Sequence, residues 1–136
     1  MNKQKQKMLS VIFAILSGAV TLKNCGSVGD VAQITSMGFF PTNPVSGDKT
    51  ELWIAYNLNE DLLKGTATYS TTFNGIPFAP TIEDLCTQTS CPKSAGFYNE
   101  TSLSDFPKVS GKIVSRIQWK NQDDEPVWCA EVTFKV

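Results

Sequence analysis

The chain has 136 residues, with 12 basic and 13 acidic side chains, no histidine and a net charge of −1. Without histidine there is no ordinary acid–base switch and no base for a catalytic triad. The scattered charge argues against a nucleic-acid surface, and the length sets one domain.

At the N-terminus, Lys3, Lys5 and Lys7 precede an apolar run over residues 8–16, followed by Ser17-Gly18-Ala19. A basic start, a short apolar run and small residues mark a secretory signal peptide, with cleavage expected after Ala19. The run falls short of the ~20 apolar residues of a membrane span. A lipoprotein reading fails because bulky Asn24 precedes Cys25 where a small residue is needed. The expectation is one domain over residues 20–136, secreted or held in the endolysosomal lumen. Removing Lys3, Lys5 and Lys7 from the twelve basic residues leaves nine against thirteen acidic ones, a net −4.

Cys25, Cys86, Cys91 and Cys129 all lie beyond that segment. An even count in an exported chain reads as two disulfides. Three connectivities are open, the economical one pairing Cys86 with Cys91 and Cys25 with Cys129. A zinc site is disfavoured by unsuitable spacing and the lack of histidine, and no metal or cofactor is expected.

No window carries a sustained helical period. Residues 31–37 form a modest strand ended by Gly38-Phe39-Phe40-Pro41, and residues 42–49 form a loop. Over residues 51–58, Leu52, Ile54, Tyr56 and Leu58 share one face. Over residues 66–73, Ala67, Tyr69, Thr71 and Phe73 do the same. Asn74-Gly75 is a turn signal because both residue types tolerate positive φ. Pro77 and Pro80 lack the N–H of a central ladder, so the stretch to Pro92 is an edge strand or an irregular flap. Residues 112–120 set Ile113, Ile117 and Trp119 on one side; residues 127–136 set Trp128, Ala130, Val132, Phe134 and Val136 on one side. Asn59-Glu60-Asp61 and residues 121–125 serve as hairpin loops. Strict period-two patterns bounded by turn residues predict six or seven antiparallel strands, an all-β sandwich. Asn99-Glu100-Thr101 is a glycosylation sequon, which makes Asn99 an exposed turn or edge.

Chemistry is sparse. The acidic pairs Glu83-Asp84 and Asp123-Asp124 sit in loop-like stretches and read as solvated turns. No phosphate or calcium loop is present. An enzyme is not expected.

The order of features resembles the ML lipid-recognition family. The matching residues are Asn24-Cys25-Gly26, Asn74-Gly75-Ile76-Pro77, Leu85-Cys86, Cys91-Pro92 with Gly96, Phe106-Pro107, Gly111, Trp119 ahead of Asp123-Asp124, and Cys129-Ala130. Within this resemblance Cys86–Cys91 matches the family's small-ring disulfide and Cys25–Cys129 its end-to-end one. It implies an immunoglobulin-like sandwich of two sheets, parted to take a lipid between them. Alternation and resemblance together nominate the pocket. Phe106 and Pro107 match an aromatic–proline pair at the mouth, and Ile76, Pro77 and Phe78 belong to a flap. Trp119 matches a family tryptophan, and Tyr69, Phe73, Ile113, Ile117, Val132 and Phe134 face inward. The implied role is a monomeric carrier of a sterol or a phospholipid such as phosphatidylglycerol or phosphatidylinositol, touching membranes transiently. The competing role is a secreted module that presents lipid to a protein partner.

Overall fold

The computed structural model describes residues 19–108 and 110–135. The expected signal peptide, apart from Ala19, and Val136 of the last strand lie outside the described residues. The elements in order are β1 (Ala19–Asn24), β2 (Ala32–Phe40), β3 (Lys49–Leu58), β4 (Thr66–Phe73), β5 (Ile76–Pro77), β6 (Thr81–Asp84), a single turn α1 (Leu85–Gln88), β7 (Gly96–Asp105), β8 (Lys112–Lys120) and β9 (Pro126–Lys135).

Among the described residues, nine strands form two antiparallel sheets. One runs β1–β9–β8–β4–β5, with β6 also paired to β4; the other runs β2–β3–β7. β3 shows why alternation reads well here. Thr50, Leu52, Ile54, Tyr56 and Leu58 are buried, and the residues between them only partly so. The sheets close against each other where β2 meets β1 and β9.

The β8–β9 connection is the expected hairpin. Asn121 organises it: its Oδ1 accepts from the backbone N–H of Asp123 at 3.0 Å and of Glu125 at 2.9 Å. The β4–β5 turn is also as expected, a two-residue loop with Asn74 at φ 48° and Gly75 at φ 82°, a mirror-image hairpin turn that both residues tolerate. Asn59-Glu60-Asp61 departs from expectation. β3 and β4 lie in different sheets, so this segment opens a crossover between sheets and is no hairpin.

Two further differences have local causes. β2 extends past the expected stop to Phe40, and its register shifts between Ile34 and Ser36. That bulge breaks the period of two, so Ile34 and Met37, three apart, both pack on the core. Gly38 is not a breaker but a seat for Trp53, whose indole occupies the place a Cβ would need.

Gly65 is a second close approach. A Cβ there would collide with the backbone carbonyl of Lys120, which pairs with the next residue, Thr66, across the β4–β8 ladder. Because backbone cannot swing aside as a side chain does, Gly65→Ala is expected to lower stability by roughly 1–3 kcal/mol. The urea unfolding midpoint measures it.

Both disulfides are those of the economical pairing. Cys25–Cys129 ties β1 to β9 across 104 residues, and Cys86–Cys91 closes a ring across five.

Candidate functional site

The inner faces of β4 and β8 carry the ladder pairs Ala67↔Trp119, Tyr69↔Ile117, Thr71↔Ser115 and Phe73↔Ile113 in succession. Directly opposed residues project to the same side, so these pairs form a stripe facing the second sheet. Two recesses lie along it. The first, about 110 Å³, is lined by Tyr69, Ile117, Trp119 and Trp128 from one sheet and by Leu52, Ile54, Glu100, Thr101 and Ser102 from the other, with Gln88 at its rim. The second, about 310 Å³ and more open, is lined by Thr71, Phe73, Phe78 and Ile113.

The first recess has an apolar floor and a polar rim, and α1 builds the rim. Asp84 caps that turn, its Oδ1 accepting from the Cys86 N–H at 2.9 Å. The Cys86–Cys91 ring then holds the segment where it touches both sheets. From β4, the Tyr69 hydroxyl donates to Gln88 Oε1 at 2.9 Å; one residue on, the Thr89 hydroxyl donates to Glu100 Oε1 of β7 at 2.9 Å. The Tyr56 hydroxyl donates to that same oxygen at 2.8 Å, and Lys93 Nζ stands 3.5 Å away. Lys93 is itself buried, with its ammonium 4.6 Å from the centre of the Tyr98 ring.

Both phenols are held protonated. Burial first, then the hydrogen bond to Glu100 and its charge, raise the Tyr56 pKa far above the ordinary phenol value. Burial and the Glu83 charge raise that of Tyr69. Each therefore remains a donor at neutral pH.

Of the nominated residues, Tyr69, Ile117 and Trp119 line the first recess, and Phe73, Phe78 and Ile113 the second. Ile76 and Pro77 are exposed at the β5 tip beside it. Val132 and Phe134 belong to the packed core, with Phe134 edge-on to Phe39 and Phe106. Phe106 is 1% exposed, its backbone bonded to Gly47 and Asp48, and Pro107 follows half-buried. The lining residues beyond sequence reasoning are chiefly Glu100 and Ser102 of β7, Gln88 of α1, and Trp128. Trp128 shared the inward face of its strand with Val132 and could have been nominated by the same rule. Glu100 could not, because β7 points its polar residues inward.

The family described as ML domain matches residues 19–136. A "Putative phosphatidylglycerol/phosphatidylinositol transfer protein 1" of Dictyostelium discoideum is 26% identical over 123 residues, covering 87% of this chain and 82% of its own. Among solved structures, chicken MD-1 complexed with lipid IVa superposes with a TM-score of 0.66 at 17% identity, covering 87% of this chain and 89% of that one. A Niemann-Pick type C2 protein from the Japanese carpenter ant gives 0.64 at 14% identity, covering 83% and 96%.

Proposed function

The chain belongs to the ML domain family, a lipid-binding family of immunoglobulin-like sandwiches, and from that premise we propose that it takes a sterol or phospholipid between its two sheets and passes it between membranes. No covalent chemistry enters this role. The observation that carries it is the pair of recesses on consecutive inner ladder pairs of β4 and β8. By the ~30 Å³ that a water claims in the liquid, the first recess has room for about four waters. A whole lipid therefore needs both recesses, with the sheets parting between them. Each buried methylene contributes about 0.8 kcal/mol, so a ~14-carbon chain gains on the order of 11 kcal/mol before association costs. That gain exceeds the cost of separating a few inner contacts.

Phe78, 56% exposed, with Ile76 and Pro77 beside it, makes an apolar lip from which transient membrane contact would start. The two disulfides fit an oxidising compartment, hence export through a cleaved signal segment. Asn99 projects from exposed edge strand β7, where a glycan would hinder pairing with another chain.

Organic extraction of the purified protein with mass spectrometry of the extract identifies the cargo, and vesicle-to-vesicle transfer measures the activity. Phe78→Asp is expected to reduce lipid uptake at least tenfold with the unfolding midpoint unchanged. Phe106→Asp is the wrong instrument, because it would bury an unpaired carboxylate. A lipid-free protein that leaves vesicle transfer unaccelerated would sink the carrier role and favour a module acting through a protein partner.

A further inference from the structure

The outer face of β7 leaves two large apolar side chains in water: Phe97 is 76% exposed and Leu103 77%. Asn99 and Thr101 stand between them, also exposed, and all four share one face because successive residues of a strand alternate. The ladder agrees. Phe97 opposes Asn57, Asn99 opposes Ala55 and Thr101 opposes Trp53, whereas the buried Ile54 and Tyr56 oppose Glu100 and Tyr98. Asn99 and Thr101 are the first and third residues of the glycosylation sequon. Its acceptor asparagine therefore lies two residues, about 7 Å along the strand, from an exposed aromatic ring. Ala55 and, beyond it, Ser36 keep the row across from Asn99 low, which leaves room there for a bulky group.

A pyranose ring has an apolar C–H face and polar edges. The C–H face complements an aromatic face, whose π cloud is negative. We infer that Asn99 carries an N-linked glycan whose first N-acetylglucosamine lies on the Phe97 ring. The link joins Asn99 Nδ2 to C1 of the sugar. The C1–O bond of a lipid diphosphate-linked oligosaccharide donor breaks, the diphosphate leaves with the bonding pair, and one amide proton is released. Leu103, four residues on and about 14 Å away, is beyond the first sugar, so Phe97 is the ring it covers. Glu100 and Ser102 turn the other way and line the first recess, so glycan and recess lie on opposite sides of β7. The inference rests on export through the secretory pathway. It gives the exposed ring a partner: the sugar takes apolar surface out of water and stabilises the fold that bears it.

The full chain is secreted from yeast, its glycosylated fraction is collected on a lectin column, and the glycan is trimmed enzymatically to the one sugar on Asn99. Intact mass establishes occupancy, and thermal unfolding by circular dichroism compares this form with Asn99→Gln. One stacked sugar is expected to raise the midpoint by about 2–6 °C. With Phe97→Ser in both members of the comparison the shift is expected to fall below about 1 °C. With Phe97→Tyr, which keeps a ring face, the full shift is expected. Phe97 stands mostly in water, so these substitutions leave the core untouched. Should Phe97→Ser escape glycosylation, Phe97→Leu, apolar but without a ring face, takes its place and is expected to lose at least half of the shift. A shift that survives loss of the ring overturns the inference, and so does an occupied Asn99 that brings no shift. A secreted chain with Asn99 bare overturns the inference while leaving export intact. A chain that does not leave the cell overturns export and the inference together.

Discussion

Replacing Cys25 and Cys129 together by serine is expected to lower stability by about 4–5 kcal/mol, the loop-entropy value for a closed loop near 100 residues. Small domains hold only about 5–15 kcal/mol in total, so the variant would sit close to the threshold of folding. In a domain this size the thermal midpoint should drop by roughly 15–20 °C, followed by circular dichroism. The same replacement at Cys86 and Cys91, which closes a ring across five residues, should cost about 2 kcal/mol. The contrast tests more than entropy. The short ring also holds the turn that reaches Tyr69 through Gln88 and Glu100 through Thr89. If opening it cost as much as opening the long one, those two hydrogen bonds would be shown to depend on the ring. The ring would then be a clamp between sheets as well as a local staple.

What could be read from residues alone follows one physical rule. A strand is legible when its inner face is apolar and its outer face polar. β3, β8 and β9 obey the rule, and their inward sets Leu52–Ile54–Tyr56, Ile113–Ile117–Trp119 and Trp128–Ala130–Val132 came out as expected. β7 inverts it. Opposite Leu52, Ile54 and Tyr56 stand Ser102, Glu100 and Tyr98, while Phe97 and Leu103 project outward into solvent. A pattern with its polar side turned inward reads as a loop, and the strand that supplies the acceptor of the candidate site went unread. β1 escaped for a different reason: it is short, and its partner β9 lies more than a hundred residues away. β2 was legible through Met37, bulge included, and only its end at Phe40 was missed, because Gly38 reads as a breaker where it seats Trp53. By contrast, the family resemblance rested on turn and cysteine residues, whose spacing does not depend on which way a strand faces. It therefore identified the fold even where alternation failed, and said least about the rim of the cavity.

Tyr56 is where the core and the candidate site share one side chain. It is fully buried, stacked on Tyr98, edge-on to Trp119 and tilted against Trp128, with its hydroxyl on Glu100. Tyr56→Ala removes the ring behind both cavity tryptophans and is expected to cost about 3–5 kcal/mol, the range for truncating a large buried aromatic. Tyr56→Phe keeps the ring and deletes only the donor to a carboxylate, which predicts a loss of about 1.5–3 kcal/mol. The remaining donors, Thr89 and Lys93, still hold Oε1, so Glu100 should stay in place and lipid uptake should persist in the phenylalanine variant. In the alanine variant Trp119 and Trp128 lose their backing. Their emission should shift with increased exposure, and urea denaturation should report the larger loss. If the two substitutions cost the same, the ring contributes little and the hydroxyl carries the stability. The aromatic cluster would then be a lining for the cavity more than a support for the fold.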